Sequence, residues 1–126
     1  MAHELSVLVV DDDPEFLAYV RDGLHASVQV ARTPLEALWL LEHTPLRAVV
    51  CDLRFGDIDG RHVLDLVRDR WPSLTRILVT GYSSALETPS SDAMSAAQAV
   101  IYKPCDLAVL QQLLDAAQTS APAAPH

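Results

Sequence analysis

The chain is short of lysine. One of its 126 residues is lysine, Lys103, and no Lys or Arg follows it. Eight arginines complete the cationic set against seventeen Asp and Glu, leaving a formal net charge of −8. Phosphate backbones are held by clustered Lys and Arg, so this deficit argues against direct nucleic-acid binding by the domain. Long apolar runs are also missing. Half of the residues are hydrophobic, yet no run approaches the roughly 20 residues of a membrane span. The N-terminus, Met1-Ala2-His3-Glu4, lacks the basic and then apolar profile of a secretion signal. Cysteine is scarce. Cys51 and Cys105 are too few for a disulfide framework and have no metal-ligand spacing. The expectation is a cytoplasmic protein with no membrane association and two reduced thiols, Cys51 in the core and Cys105 exposed.

What is present is an alternation of apolar runs with helical patterns, the signature of βαβ units and a parallel sheet in one domain. Residues 5–10 read as a first strand. Asp13 is the cap and Pro14 the first position of a helix with Phe16, Leu17, Val20 and Leu24 on one face. Residues 27–31 form a short second strand. Thr33-Pro34-Leu35-Glu36 is a capping box, opening a helix with Leu35, Leu38 and Leu41 inward that stops before Pro45. Residues 47–51 are a third strand, and 52–60 a turn-rich loop. A third helix spans 61–70 with Val63, Leu64 and Val67 inward. Strands four and five are 75–79 and 99–102. Asp106 caps a last helix that buries Leu107, Leu110, Leu113 and Leu114. Trp39 and Trp71 read as packing residues. His3, His25, His43, His62 and His126 have no mutual spacing suited to metal or catalysis and read as surface residues. The stretch 83–97 is serine-rich and contains Pro89, so a shorter helix capped by Thr88 is expected there. Residues 119–126 are Ala/Pro-rich, expected to be a disordered tail or the start of a linker after a folded domain of residues 1–118.

Four apolar runs end in polar groups of different chemistry. The first ends in Asp11-Asp12, the third in Asp52, the fourth in Thr80 and the fifth in Lys103. In a parallel sheet these ends converge on one edge, where α/β folds bind ligands. Three carboxylates, a hydroxyl and an ammonium there make a site for a divalent metal and a phosphoryl group. Asp13 reads instead as a helix cap, and Cys51 as a small buried hydrophobe. The stretches Val9-Val10-Asp11-Asp12-Asp13-Pro14, Val50-Cys51-Asp52-Leu53, Asp59-Gly60, Val79-Thr80-Gly81 and Tyr102-Lys103-Pro104 are weak signals singly. In this order and at strand ends, they resemble the response-regulator receiver domain of bacterial two-component signalling, over about residues 5–118.

That resemblance implies an α/β fold: a doubly wound, flavodoxin-like parallel sheet of five strands in order 2-1-3-4-5, flanked by five helices. It implies Asp52 as the nucleophile that takes a phosphoryl group from a sensor histidine kinase or phosphotransfer protein. Mg²⁺ would be held by Asp12, Asp52 and the backbone carbonyl of Arg54, with Asp11 acting through water. Lys103, the Thr80 hydroxyl and the Gly81 N–H would hold phosphoryl oxygens. The side chains of Arg54 and Tyr82 would flank the phosphoryl group. The domain would signal by conformational change to a downstream effector or output domain, catalysing only its own phosphorylation and dephosphorylation.

Three positions depart from the family pattern. Val100 stands where an aromatic is usual, with Tyr102 on the same strand face. Phe55-Gly56 replaces the common Met-Pro after the phosphoacceptor. Between position 83 and the end the charges are Glu87, Asp92, Lys103, Asp106 and Asp115, so a complementary-charge dimer of the winged-helix branch lacks its basic half. Two alternatives accompany the receiver reading. One is a pseudo-receiver that docks unphosphorylated. The other is a small phosphatase of haloacid-dehalogenase type, in which Asp11-Asp12-Asp13 would hold the nucleophile and Asp52 would have no role.

Overall fold

The computed structural model describes residues 6–55, 58–81 and 97–120. Five strands, β1 (Ser6–Val10), β2 (Ser27–Ala31), β3 (Ala48–Asp52), β4 (Thr75–Thr80) and β5 (Ala99–Tyr102), form one sheet. All neighbours pair in parallel, in the order β2-β1-β3-β4-β5 that the family resemblance implies. Four described helices join or follow them: α1 (Pro14–Gly23), α2 (Pro34–His43), α3 (Gly60–Arg70) and α4 (Leu107–Ser120).

Successive residues of a strand face opposite sides of a sheet, and here both sides are covered. That is why the central strands β1 and β3 read as nearly unbroken apolar runs. Leu8, Val10, Val49, Cys51 and Leu78 pack with Leu41 of α2 and Val63, Leu64 and Val67 of α3. Val7, Val9, Val50, Ile77 and Val79 pack with Phe16, Leu17 and Val20 of α1 and Leu110 and Leu114 of α4. The helix starts are fixed by their caps. Asp13 accepts the Glu15 N–H at 3.0 Å, Thr33 accepts that of Glu36 at 3.1 Å, and Asp59 accepts that of Arg61 at 2.9 Å.

Several expectations are corrected. In α2 the buried residues are Ala37 and Leu41, while Leu35 is 79% exposed. The helix is apolar on nearly every side, so the leucine spacing did not identify the buried face. Trp39 is 57% exposed and stacks on His43 at 4.3 Å rather than packing in the core. Trp71 does pack against the core, half-buried. Cys105 is buried, because the turn after β5 folds it onto the cluster beneath α1 and α4. The loop after Asp52 contains a short antiparallel ribbon, Arg54–Phe55 with Ile58–Asp59. The last helix carries through Ser120, so two residues assigned to the tail are helical. Gly56, Tyr82, the serine-rich stretch with Pro89 up to residue 96, and residues 121–126 lie outside the described residues. Among the described residues, no helix is long and apolar enough to cross a membrane.

Candidate functional site

The carboxyl ends of β1, β3, β4 and β5 bring Asp11, Asp52, Thr80 and Lys103 to one edge. Register does this directly. Asp11 continues β1, and its N–H donates to the Ala31 carbonyl at 3.0 Å. Asp52 closes β3 opposite Val79. The Lys103 N–H donates to the Thr80 carbonyl at 2.8 Å, which ties the end of β5 to that of β4.

Asp11 is 1% exposed, yet both its oxygens are engaged. One accepts the Asp13 N–H at 3.0 Å and the other the Lys103 Nζ at 2.8 Å. The same ammonium lies 3.5 Å from Asp52 Oδ2. Asp52 Oδ1 accepts the Arg54 N–H at 3.4 Å. Asp12 stands beside them, exposed. Carboxylate oxygens of Asp11, Asp12 and Asp52 all lie within 4.8 Å of one another. Three hard oxygen donors gathered this closely fit a hard divalent cation.

Electrostatics follow from this crowding. Burial pushes the Asp52 carboxyl up from 3.8 to about 6, the Asp11 charge adds to the rise, and Lys103 opposes it. Burial pulls the Lys103 ammonium down, but its hydrogen bond to Asp11 and the charge of Asp52 outweigh that and hold it above its ordinary value. Burial, and then the charges of Asp52 and Asp11, push the Cys51 thiol well up. Burial also raises Cys105. Neither thiol has the depressed pKa of a reactive cysteine, in keeping with structural roles.

Asp59 and Gly60 build the wall behind Asp52. A Cβ on Gly60 would stand 2.0 Å from the Asp52 carbonyl oxygen, so only glycine lets α3 begin there. The Gly60 N–H also donates to the Leu53 carbonyl at 2.6 Å. Asp59 is held below its ordinary carboxylate value, first by its hydrogen bond from Arg61. Thr80 is fully buried, its hydroxyl in a long 3.4 Å contact with the Gly81 carbonyl. Val100 packs partly buried against the α2–α3 side, whereas Tyr102, on the same strand face, is half exposed. Arg54 keeps its side chain on the surface.

Three neighbours escaped the sequence reading. The Phe16 ring lies beneath Lys103, its centroid 4.4 Å from Nζ. The Tyr19 hydroxyl donates to the Cys105 carbonyl at 3.0 Å, pinning the turn after Lys103 to α1. The Arg32 guanidinium reaches the Asp12 carbonyl at 3.5 Å. Arg32 directly follows β2, so the strand-end argument extended to the second strand would have found it. Phe16 was visible only as an inward residue of the helix that starts at this edge.

Comparison with known proteins agrees with this geometry. The family model described as the response regulator receiver domain matches residues 7–115. The hydrogenase transcriptional regulatory protein HoxA of Cupriavidus necator is 33% identical over 84 residues, covering 65% of this chain and 17% of that protein. The transcriptional regulatory protein ZraR of Klebsiella oxytoca is 31% identical over 117 residues, covering 90% of this chain and 26% of that protein. The chain therefore spans about a quarter or less of the length of these two relatives. Among solved structures, a response regulator receiver domain protein (CheY-like) from Methanospirillum hungatei superposes with a TM-score of 0.80 at 27% identity, covering 93% of this chain and 98% of that one.

Proposed function

The chain belongs to the response regulator receiver domain family, and we propose that it works as a phosphorylatable switch with Asp52 as the phosphoacceptor. The observation that carries this reading is the convergence of Asp52, Lys103 and the acidic pair at one sheet edge, with carboxylate oxygens within 4.8 Å and the ammonium 3.5 Å from Asp52. An Asp52 oxygen would attack the phosphorus of a phosphohistidine. The O–P bond forms as the P–N bond breaks, and the electron pair leaves on the imidazole nitrogen. The product is an acyl phosphate.

Mg²⁺ fits the donor set, and Asp12, Asp52 and the Arg54 carbonyl would hold it, with Asp11 behind. When bound, it supplies the positive charge that offsets repulsion between the carboxylate and the incoming phosphoryl group. The chain's own residues do the rest. Lys103 sits as a point charge for a phosphoryl oxygen. The Thr80 hydroxyl gives up only a long contact when it turns to a phosphoryl oxygen, and the Gly81 N–H offers a second donor. By the family resemblance, Arg54 and Tyr82, the latter outside the described residues, would flank the group and slow the approach of hydrolytic water. Val100 occupies the position through which a receiver of this family transmits its state, with Tyr102 two residues on along the same strand face. The aromatic contribution at Val100 is absent, so the change would fall to the segment after Thr80, which lies outside the described residues beyond Gly81. The donor would be a sensor histidine kinase or phosphotransfer protein in the cytoplasm, and the output a downstream effector or domain. Apart from phosphorylating and dephosphorylating itself, the domain does no chemistry. The dehalogenase-type alternative needs Asp11 as a free nucleophile, whereas that carboxylate is enclosed and paired with Lys103.

The test is intact mass after treatment with acetyl phosphate and Mg²⁺. One phosphoryl adduct is expected, absent in Asp52→Asn and absent in excess EDTA. An adduct that survives either change rules out this assignment.

A further inference from the structure

Among the described residues the Lys103 ammonium has three partners: Asp11, Asp52 and the face of Phe16. The two carboxylates are also members of the cluster able to hold a cation. A divalent ion and Lys103 therefore compete for the same oxygens. An ion would draw carboxylate charge away from Lys103, and of the three contacts the Phe16 ring, buried at the start of α1 and 4.4 Å from Nζ, is the one it cannot take. The negative face of an aromatic ring attracts an ammonium without offering a metal a ligand. Nearby, the Tyr19 hydroxyl holds the turn after Lys103 from the same helix.

We infer that Phe16 is a positioning residue for the phosphoryl site: its ring holds the Lys103 ammonium at the sheet edge when a cation has taken the carboxylates, leaving it aimed at a phosphoryl oxygen. Asp13 and Pro14 fix the first turn of α1, and with it the ring, at the end of β1. An aliphatic side chain of similar size fills the same space without attracting the ammonium. The inference rests on the phosphoacceptor reading of Asp52.

The experiment replaces Phe16 with phenylalanine carrying one, two or three ring fluorines. Each fluorine drains the ring face while nearly preserving its shape. Beryllofluoride affinity is measured by calorimetry at saturating Mg²⁺, with the melting point recorded in EDTA. Expected is a stepwise loss of affinity reaching about two- to tenfold, the range of such contacts, with a nearly constant melting point. Phe16→Leu should fall at the weak end of the series. If the unmodified chain binds beryllofluoride but affinity is flat across the series, the positioning role is wrong. If the unmodified chain does not bind it at all, the phosphoacceptor reading fails, and this inference with it.

Discussion

Asp52 lives in a pocket that disfavours its charge. Its carboxyl stands near 6 against an ordinary 3.8, so between those values the folded chain holds a proton that the unfolded chain releases. The stability this contributes is complete below about 4 and is lost as pH rises through about 6. Above that, an ionised Asp52 works against the metal-free fold. Asp52→Asn in EDTA should therefore raise stability at pH 8 by about 1–3 kcal/mol, a gain that shrinks through pH 6 and vanishes near pH 4. Urea melts of both proteins across this range decide it, and a variant less stable than the parent at pH 8 contradicts the argument. The identity of Asp52 and Lys103 was legible in sequence because each ends an apolar run, and a strand end has a fixed place in a parallel sheet. The Lys103–Phe16 contact was not, because it joins residues far apart in the chain through a helix-to-strand packing that no local pattern encodes.

At the scale of elements, α3 docks on β3 with no room to spare. Its first residue, Gly60, would drive a Cβ into the Asp52 carbonyl oxygen and within 3.1 Å of the Cys51 sulfur. Backbone cannot yield as a flexible side chain can. Gly60→Ala should cost at least about 1–3 kcal/mol and weaken Mg²⁺ binding, because Asp52 must shift to admit the methyl. Gly81→Ala, where a Cβ meets open space, should change stability by no more than about 0.5 kcal/mol. Melting curves with a Mg²⁺ titration compare the two, and equal effects would refute the close-approach account. The strands, the caps of α1 and α2, and the inward residues of α1 and α3 were readable, since capping chemistry and a clean polar–apolar split are local signals. The face of α2 was not, because Leu35, Leu38, Trp39, Leu40 and Leu41 leave no polar side for contrast. The short ribbon after Asp52 was equally hidden. Two residue pairs are too few to produce an alternation.

The whole molecule carries a net charge of −8 and concentrates three of its carboxylates at one end of the sheet. A ligand that binds only the folded chain stabilises it by mass action, about 2.7 kcal/mol at a hundredfold excess over its dissociation constant. Mg²⁺ should do this at pH 8 and do it less at pH 5, where a proton on Asp52 competes. Thermal melts with and without Mg²⁺ at the two pH values measure the difference, and equal stabilisation at both would exclude Asp52 from the cation site. The strands were legible at this scale as apolar runs alternating with helical patterns, whereas their order 2-1-3-4-5 came from the resemblance to the receiver family, because apolar runs carry no information on which strands are neighbours.

Across the entire chain there is a single ε-amine, and the fold has placed it between Asp11 and Phe16. Reagents that acylate amines thus have one side chain to find, apart from the α-amino group, and it is one on which the site depends. Acylation there would strip the cation from the ring and leave the enclosed Asp11 carboxylate without its counter-charge. Only the deprotonated amine reacts, so the partners that hold the ammonium also shield it. The pace at which a lone acyl group arrives becomes a clock for how often Lys103 lets go.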